Sequence, residues 1–406
     1  MAGSDAVEPR RRERTRSTDA GLRGLLAARE IVITCGSGGV GKTTMAGAAA
    51  AMAAAEQGGR VLVLTIDPAR RLATALGLEA FGNAEVRIPA EAWATTGVAP
   101  RGELWAAMLD TKASWDDLVR LHAPDAATRD AILENPLYRN ITGKFVQSHD
   151  YIAMERLHEI HSSGRYDLVV VDTPPTRNAI DFLEAPERMA DFFSSRLLRW
   201  LIAPSRSRVI SAASRPFYTV ADRILGSQFL EDIAEFFILF QSMYDGFVAR
   251  AEAVTRLLRD ERTAFVVVST LEPGPSREAC FFIDELDRRD LDLGAVVLNK
   301  VLPSSLLDAE PAVVARVLSQ RSAAVVEALD PQVRGNGAEG DDAAALARVL
   351  REIGESFANF AVVAEREAEQ RVALTRRAGV TASVPHLDAD VADLAGLLRV
   401  GRALWV

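Results

Sequence analysis

The chain predicts a doubly wound α/β fold, a mostly parallel sheet clad in helices, with an α-helical subdomain inserted into it. Three observations carry the prediction. Residues 31–35 (Ile-Val-Ile-Thr-Cys) are a short β-branched run, and a glycine-rich loop and an alanine-rich helical stretch follow it. Two later apolar runs, 60–67 and 166–172, each end in an aspartate. Strand-length apolar runs then go on alternating with helical stretches to the C-terminus, as in parallel sheets covered by helices.

The first loop, residues 36–44, reads Gly-Ser-Gly-Gly-Val-Gly-Lys-Thr-Thr. Gly36, Gly38, Gly39 and Gly41 let successive backbone N–H groups turn inward around an anion at a helix N-terminus, with Ser37 and Val40 between them. Lys42 is placed to neutralise β- and γ-phosphates, and the Thr43 hydroxyl, followed by Thr44, to ligate Mg²⁺. With a strand before it and the alanine-rich stretch to Glu56 after it, this is a phosphate-binding loop of the P-loop NTPase type. The second strand ends Leu64-Thr65-Ile66-Asp67-Pro68, and open α/β sheets hold ligands at the carboxyl ends of their strands, so Asp67 is expected beside the loop. The third, Leu168-Val169-Val170-Val171-Asp172, ends in the carboxylate that an ATPase needs near its Mg²⁺. The competing reading of either aspartate is a helix cap or turn residue.

These motifs together, Gly-x-Gly-Gly-Val-Gly-Lys-Thr-Thr, Thr-Ile-Asp-Pro-Ala and Asp-Thr-Pro-Pro-Thr, resemble the ArsA-type family of anion-transporting ATPases. That family includes the arsenite-pump ATPase and the ATPase that targets tail-anchored membrane proteins. The resemblance runs from about residue 30 to the C-terminus and rests on the motifs rather than on the helical segments between them. It implies that Asp67 activates the attacking water, that Asp172 sits near the metal, and that the protein works as a dimer. Relatives carry a lysine at the position of Ser37 and reach the partner's nucleotide with it. A serine is neutral and too short for that, and an in-trans cation is worth orders of magnitude in rate. Three consequences stay open: slow turnover alone, pairing with a lysine-bearing paralogue, or another cation in its place. Arg70, Arg71 and Arg177 are the candidates for the last, against ordinary surface salt bridging.

The base is expected to be adenine. The strand 294–298 is followed by Asn299-Lys300-Val301-Leu302, where a guanine site would read Asn-Lys-x-Asp. Leucine cannot accept guanine's N–H donors. The resemblance gives Asn299 a hydrogen bond to adenine and puts Pro385, ending the strand 381–385, on a loop over the base. ATP and Mg²⁺ are therefore the expected ligands.

Bulk properties narrow the class. The 406 residues are 49% apolar and 25% charged, ordinary for a folded chain. A net charge of −9 with 6% aromatic residues argues against nucleic acid as a partner. No apolar stretch approaches the roughly 18 residues that span a bilayer, and the N-terminus lacks a signal-peptide core. The expected location is cytoplasmic, with peripheral membrane contact open. Cys35 and Cys280 are the two cysteines, so neither an arsenite thiolate site nor the zinc clasp of some targeting ATPases is expected. His149, His158 and His161 read as a polar helix face.

By organisation, residues 1–27 are expected to be a disordered basic tail and 28–406 the ATPase domain, with helical insertions at about 111–163, 186–260 and 303–378. Phe229, Ile233, Phe236, Phe240, Met243 and Phe247 fall on one helix face, either a groove for an amphipathic client helix or the core of the helical subdomain. Residues 192–218 interleave apolar side chains with arginines, which suits a membrane surface or a hinge equally. The expected function is an ATP-hydrolysing dimeric switch that couples nucleotide state to a hydrophobic client or membrane partner. The competing function is a hydrolysis-poor structural subunit paired with a lysine-bearing paralogue.

Overall fold

Continuous β-branched runs cannot lie on a surface, and here they form the buried centre of one eight-stranded sheet. The computed structural model describes residues 21–66, 70–78, 82–139, 146–174, 183–185, 187–188, 191, 236–329 and 340–405. The strands are β1 (Ile31–Cys35), β2 (Gly59–Thr65), β3 (Val86–Arg87), β4 (Gly102–Met108), β5 (Leu168–Asp172), β6 (Thr263–Ser269), β7 (Leu293–Val301) and β8 (Thr381–Pro385). Their order is β3-β4-β2-β5-β1-β6-β7-β8. Every neighbouring pair is parallel except β3 with β4, which is antiparallel.

The period of two sorts each strand between two cores. Ile31, Ile33, Leu62, Leu64, Val169, Val171, Phe265 and Val267 face one side. Val32, Val61, Val63, Val170, Val266 and Val268 face the other. Both faces are buried, which is why these strands read as apolar runs and not as alternating ones.

Helices α1 (Leu22–Ala28), α2 (Lys42–Met52), α3 (Arg70–Ala75) and, at the C-terminus, a helix at Leu394–Leu404 cover the second face. Alanine makes up much of α2 because its neighbours come close. A Cβ on Gly401 of the C-terminal helix would meet Met52 Cγ at 2.1 Å and the Ala48 carbonyl oxygen at 3.1 Å. Packed structure begins earlier than the sequence reading had it. Leu22 and Leu26 of α1 are buried, so the tail expected to reach residue 27 gives way to packed helix by residue 22. The reason is an apolar face of Leu22, Leu25 and Leu26 at helical spacing.

The first face is covered by helices of the first two insertions and by the helix that follows β6. After the short α4 (Ala90–Ala94), these are α5 (Thr111–His122), α6 (Ala126–Glu134), α7 (Val146–Ser162), α8 (Tyr244–Leu258) and α9 (Pro273–Arg288). Asp110 caps α5, its carboxylate accepting the Ala113 N–H at 2.9 Å. The described part of the aromatic stripe is core: Phe236, Phe240, Met243 and Phe247 are buried, and Phe240 stacks on Phe247 at 5.2 Å. Phe229 and Ile233 lie outside the described residues, as do the 192–218 stretch and most of the glycine-rich segment 335–342.

Between β7 and β8 the chain makes a helical pair, α10 (Ala309–Ala328) and α11 (Gly340–Thr375), after which the C-terminal helix is α12. Gly354 lets the pair approach, since a Cβ there would meet the Ala315 carbonyl oxygen at 2.4 Å. Val313, Val314 and Val317 of α10 and Val349, Ile353 and Phe360 of α11 are exposed.

Candidate functional site

The sheet order changes direction at β1: β5 and β2 lie to one side of it, β6, β7 and β8 to the other. Ligands of such sheets bind at the carboxyl ends of the strands beside that point. The Gly36–Thr44 loop leaves β1 there.

Two glycines have no substitute. Gly36 exits β1 against β6, where a Cβ would lie 2.1 Å from the Val268 carbonyl oxygen. Gly41 caps α2 in the left-handed region at φ 97°, and a Cβ on it would meet Asn299 Nδ2 at 2.4 Å. Gly38 and Gly39 have no heavy atom within 4 Å of an added Cβ and are exposed, so they border open space. The loop there turns its backbone around the start of α2, a geometry suited to an anion. Lys42 is buried and its Nζ donates to the Ser37 carbonyl at 3.0 Å, folding the ammonium over the loop. The Ser37 side chain is buried within the loop and its hydroxyl has no hydrogen-bond partner among the described residues.

Asp172 pairs in register with Thr34 of β1 and Thr65 of β2. Thr43 Oγ1 donates to Asp172 Oδ2 at 2.7 Å, joining the first turn of α2 to the end of β5. Thr65 Oγ1 donates to the same oxygen at 3.1 Å. The cluster is all oxygen, and no group of three His, Cys, Asp or Glu able to hold a metal occurs among the described residues. One hydroxyl and one carboxylate fit Mg²⁺, which keeps waters and takes its remaining ligands from phosphate oxygens.

On the far side of the loop, Asn299 is buried between β7 and the loop. Its Nδ2 donates to the Val40 carbonyl at 2.7 Å, and its Oδ1 accepts the Lys300 N–H at 2.9 Å. Lys300 takes the left-handed region, φ 57°, which turns its N–H back onto that side chain. The family resemblance reserves Asn299 for the base; in the structure its side chain braces the Gly36–Thr44 loop. Pro385 is exposed at the end of β8, in register with Val301. The Leu302 N–H donates to Glu367 Oε2 at 3.3 Å, and burial pushes that carboxyl above its ordinary range.

Asp67, Thr176 and Arg177 lie outside the described residues, as do the side chains of Arg70 and Arg71. Lys42 and Thr43 at the start of α2 and Asp172 at the end of β5 lie together, with Asn299 on the opposite flank. The motifs gave no partners for the hydroxyls at the strand ends: Thr65, and Thr173 of the Asp-Thr-Pro-Pro-Thr motif, whose Oγ1 donates to the Thr34 carbonyl at 2.7 Å. Their signal was a hydroxyl where the strand period called for valine.

Of the two cysteines, Cys35 closes β1 directly before the loop, within electrostatic reach of Lys42 and Asp172. Burial raises the Cys35 thiol to about 12, so it stays protonated. Cys280 is on α9 and half-buried. His161 meets Glu30 at 2.8 Å. A cavity of about 830 Å³, lined by Arg29, Asp260, Asp287, Asp292 and Arg377 among others, opens at the amino ends of β6 and β7, the wrong end of the sheet for the nucleotide.

The profile of the anion-transporting ATPases (ArsA ATPase) matches residues 29–327. The chain belongs to the anion-transporting ATPase family. An uncharacterized protein of Streptomyces coelicolor is 32% identical over 283 residues, 68% of this chain and 63% of that protein's own length. A protein of Aquifex aeolicus with the provisional name arsenical pump-driving ATPase 2 is 24% identical over 67% of this chain and 80% of its own. ATPase BagA of Mycobacterium tuberculosis is 23% identical over 92% of this chain and 91% of its own. This member of the family is thus an ATPase built on an eight-stranded α/β sheet. Among its described residues no helix is long and apolar enough to cross a membrane.

Proposed function

We propose that this ATPase is a dimeric ATP-driven switch whose nucleotide state controls its hold on a hydrophobic client or membrane partner. The observation that carries the hydrolytic part is the meeting of Thr43 and Asp172, 2.7 Å apart beside the buried Lys42, where β1 hands the chain to α2. In this reading the amides of Gly38 to Thr44 and the Lys42 ammonium hold the β- and γ-phosphates. Thr43 and Asp172 hold Mg²⁺, which neutralises phosphate charge when bound. Asp67 orients or deprotonates the water that attacks the γ-phosphorus in line, and Lys42 with the loop amides stabilises the charge that develops on the departing phosphates. The Thr173–Thr176 segment relays the γ-phosphate state to the helical insertions. Leu302 in place of an acid favours ATP over GTP.

The client half rests on exposed apolar side chains. Those of the described aromatic stripe are buried, whereas Val313, Val314, Val317, Val349, Ile353 and Phe360 are open to solvent on α10 and α11. One observation favours a second reading, a hydrolysis-poor subunit paired with a lysine-bearing paralogue: the Ser37 side chain is buried inside its own loop and presents nothing to a partner.

Turnover of ATP and GTP by the purified chain, measured with its oligomeric state, separates the two. The switch predicts ATP turnover that Asp67→Asn abolishes and Ser37→Lys raises. ATP binding without turnover in any version rejects the switch and leaves the structural subunit.

A further inference from the structure

Three adjacent strands end alike on the face toward α2. Valines fill that face lower down, Val32 in β1, Val61 and Val63 in β2, and Val170 in β5. The next residue on the same face is Thr34, Thr65 and Asp172 respectively, all buried. Valine would fill the Thr65 position equally well, and a buried hydroxyl costs stability unless it finds an acceptor. Thr65 is fully buried and finds Asp172 Oδ2 at 3.1 Å, the oxygen that Thr43 Oγ1 also reaches at 2.7 Å. The main chain repeats the tie, since the Ile66 N–H donates to the Asp172 carbonyl at 3.1 Å.

We infer that Thr65 is a positioning residue for the Mg²⁺ site, its hydroxyl fixing the plane of the Asp172 carboxylate and, through it, the Thr43 hydroxyl. The inference rests on the assignment of Thr43 and Asp172 to Mg²⁺ above. A carboxylate oxygen that accepts from two hydroxyls on different elements cannot turn about its Cβ–Cγ bond without breaking one of them. A hydroxyl that gives its single proton to that carboxylate keeps its lone pairs for a cation. Without the Thr65 donor that oxygen loses one of the two hydroxyls that hold it, and the one left is Thr43, the residue it is meant to orient. Groups that hold a metal ligand in place typically contribute 10–100-fold to metal affinity.

The test compares wild type, Thr65→Val, Thr65→Ser, Thr65→Cys and Asp172→Asn. Binding of a fluorescent ADP analogue is titrated with and without MgCl₂, and turnover is followed against Mg²⁺ concentration. Thr65→Val is expected to bind the analogue normally without Mg²⁺ and to need about ten-fold more Mg²⁺ for half-saturation in both readouts. Thr65→Ser should restore the wild-type value and Thr65→Cys, a weaker donor, should fall between. That graded order keeps the test decisive if the valine variant folds poorly. An unchanged Mg²⁺ requirement in Thr65→Val and Thr65→Cys, with Asp172→Asn shifted, overturns the inference and leaves the proposed function standing. Loss of analogue binding in the absence of Mg²⁺ overturns it as well, assigning Thr65 to packing. No shift in Asp172→Asn overturns the metal assignment itself and the inference with it.

Discussion

Replacing Gly41 with alanine probes how the phosphate loop is held before any nucleotide arrives. Two costs follow from the geometry. At φ 97° an L side chain is strained by about 1–2 kcal/mol. The new Cβ would also sit 2.4 Å from Asn299 Nδ2, so that amide must leave its 2.7 Å hydrogen bond to the Val40 carbonyl, a net loss of about 0.5–1.5 kcal/mol. Together they put Gly41→Ala about 2–3 kcal/mol below wild type. Asn299→Ala removes the clashing atom but not the strain, so the double variant should be less destabilised than the sum of the singles by about 1 kcal/mol. Urea unfolding of the nucleotide-free chain, followed by circular dichroism across the four proteins, measures this cycle. Gly38→Ala is the control: nothing lies within 4 Å of its Cβ, so its unfolding free energy should stay within about 0.5 kcal/mol of wild type while binding of an ADP analogue falls. A Gly41→Ala midpoint equal to wild type, or strict additivity with Asn299→Ala, would refute the bracing of the loop by β7.

Other predictions concern the helices over the opposite face. Glu155 on α7 is buried against Arg250 of α8, accepts the Tyr151 hydroxyl at 2.7 Å, and has its carboxyl pushed up, chiefly by burial. Arg250→Met should cost about 3–5 kcal/mol in urea unfolding at neutral pH, and pairing it with Glu155→Gln should recover most of that. Because the folded Glu155 carboxyl is raised, the single variant's deficit should shrink as pH falls through the carboxylate range and grow as it rises. His122 and His158 are both held below their ordinary 6.5, first by burial and then by positive neighbours that include Arg250. The unfolded chain takes up those protons more readily, so acidification through that value favours unfolding. The melting temperature of wild type should therefore drop more between pH 7.5 and roughly 5.5 than that of His122→Gln/His158→Gln; parallel pH curves would show that these sites do not report on folding.

Much of this protein was legible without coordinates wherever a local pattern has one physical solution. A loop of spaced glycines between a β-branched run and an alanine-rich stretch reads as a phosphate cradle on a helix N-terminus, and the strand and helix expected on either side of it are β1 and α2. Apolar runs ending in aspartate announced buried parallel strands, and Asp172 lies at the end of β5 in register with Thr34 and Thr65. Leu22, Leu25 and Leu26 carried a helical period too short to stand out from a basic tail, and their burial shows only once β6 and β7 give them something to cover. What the tertiary structure alone decided was which polar atoms meet. Thr65 and Asp172 are 107 residues apart and Asn299 and Val40 are 259 apart, so no spacing in the chain connects them. Strand order does. By placing β5 between β1 and β2 and running β7 past β6 to the loop, it makes two threonines share one carboxylate oxygen and gives an asparagine the loop carbonyl. The same holds for the aromatic stripe: its period marks one apolar face, but whether that face meets Trp115 and Tyr151 or water depends on the helices folded over it, and Phe247 packs against both rings.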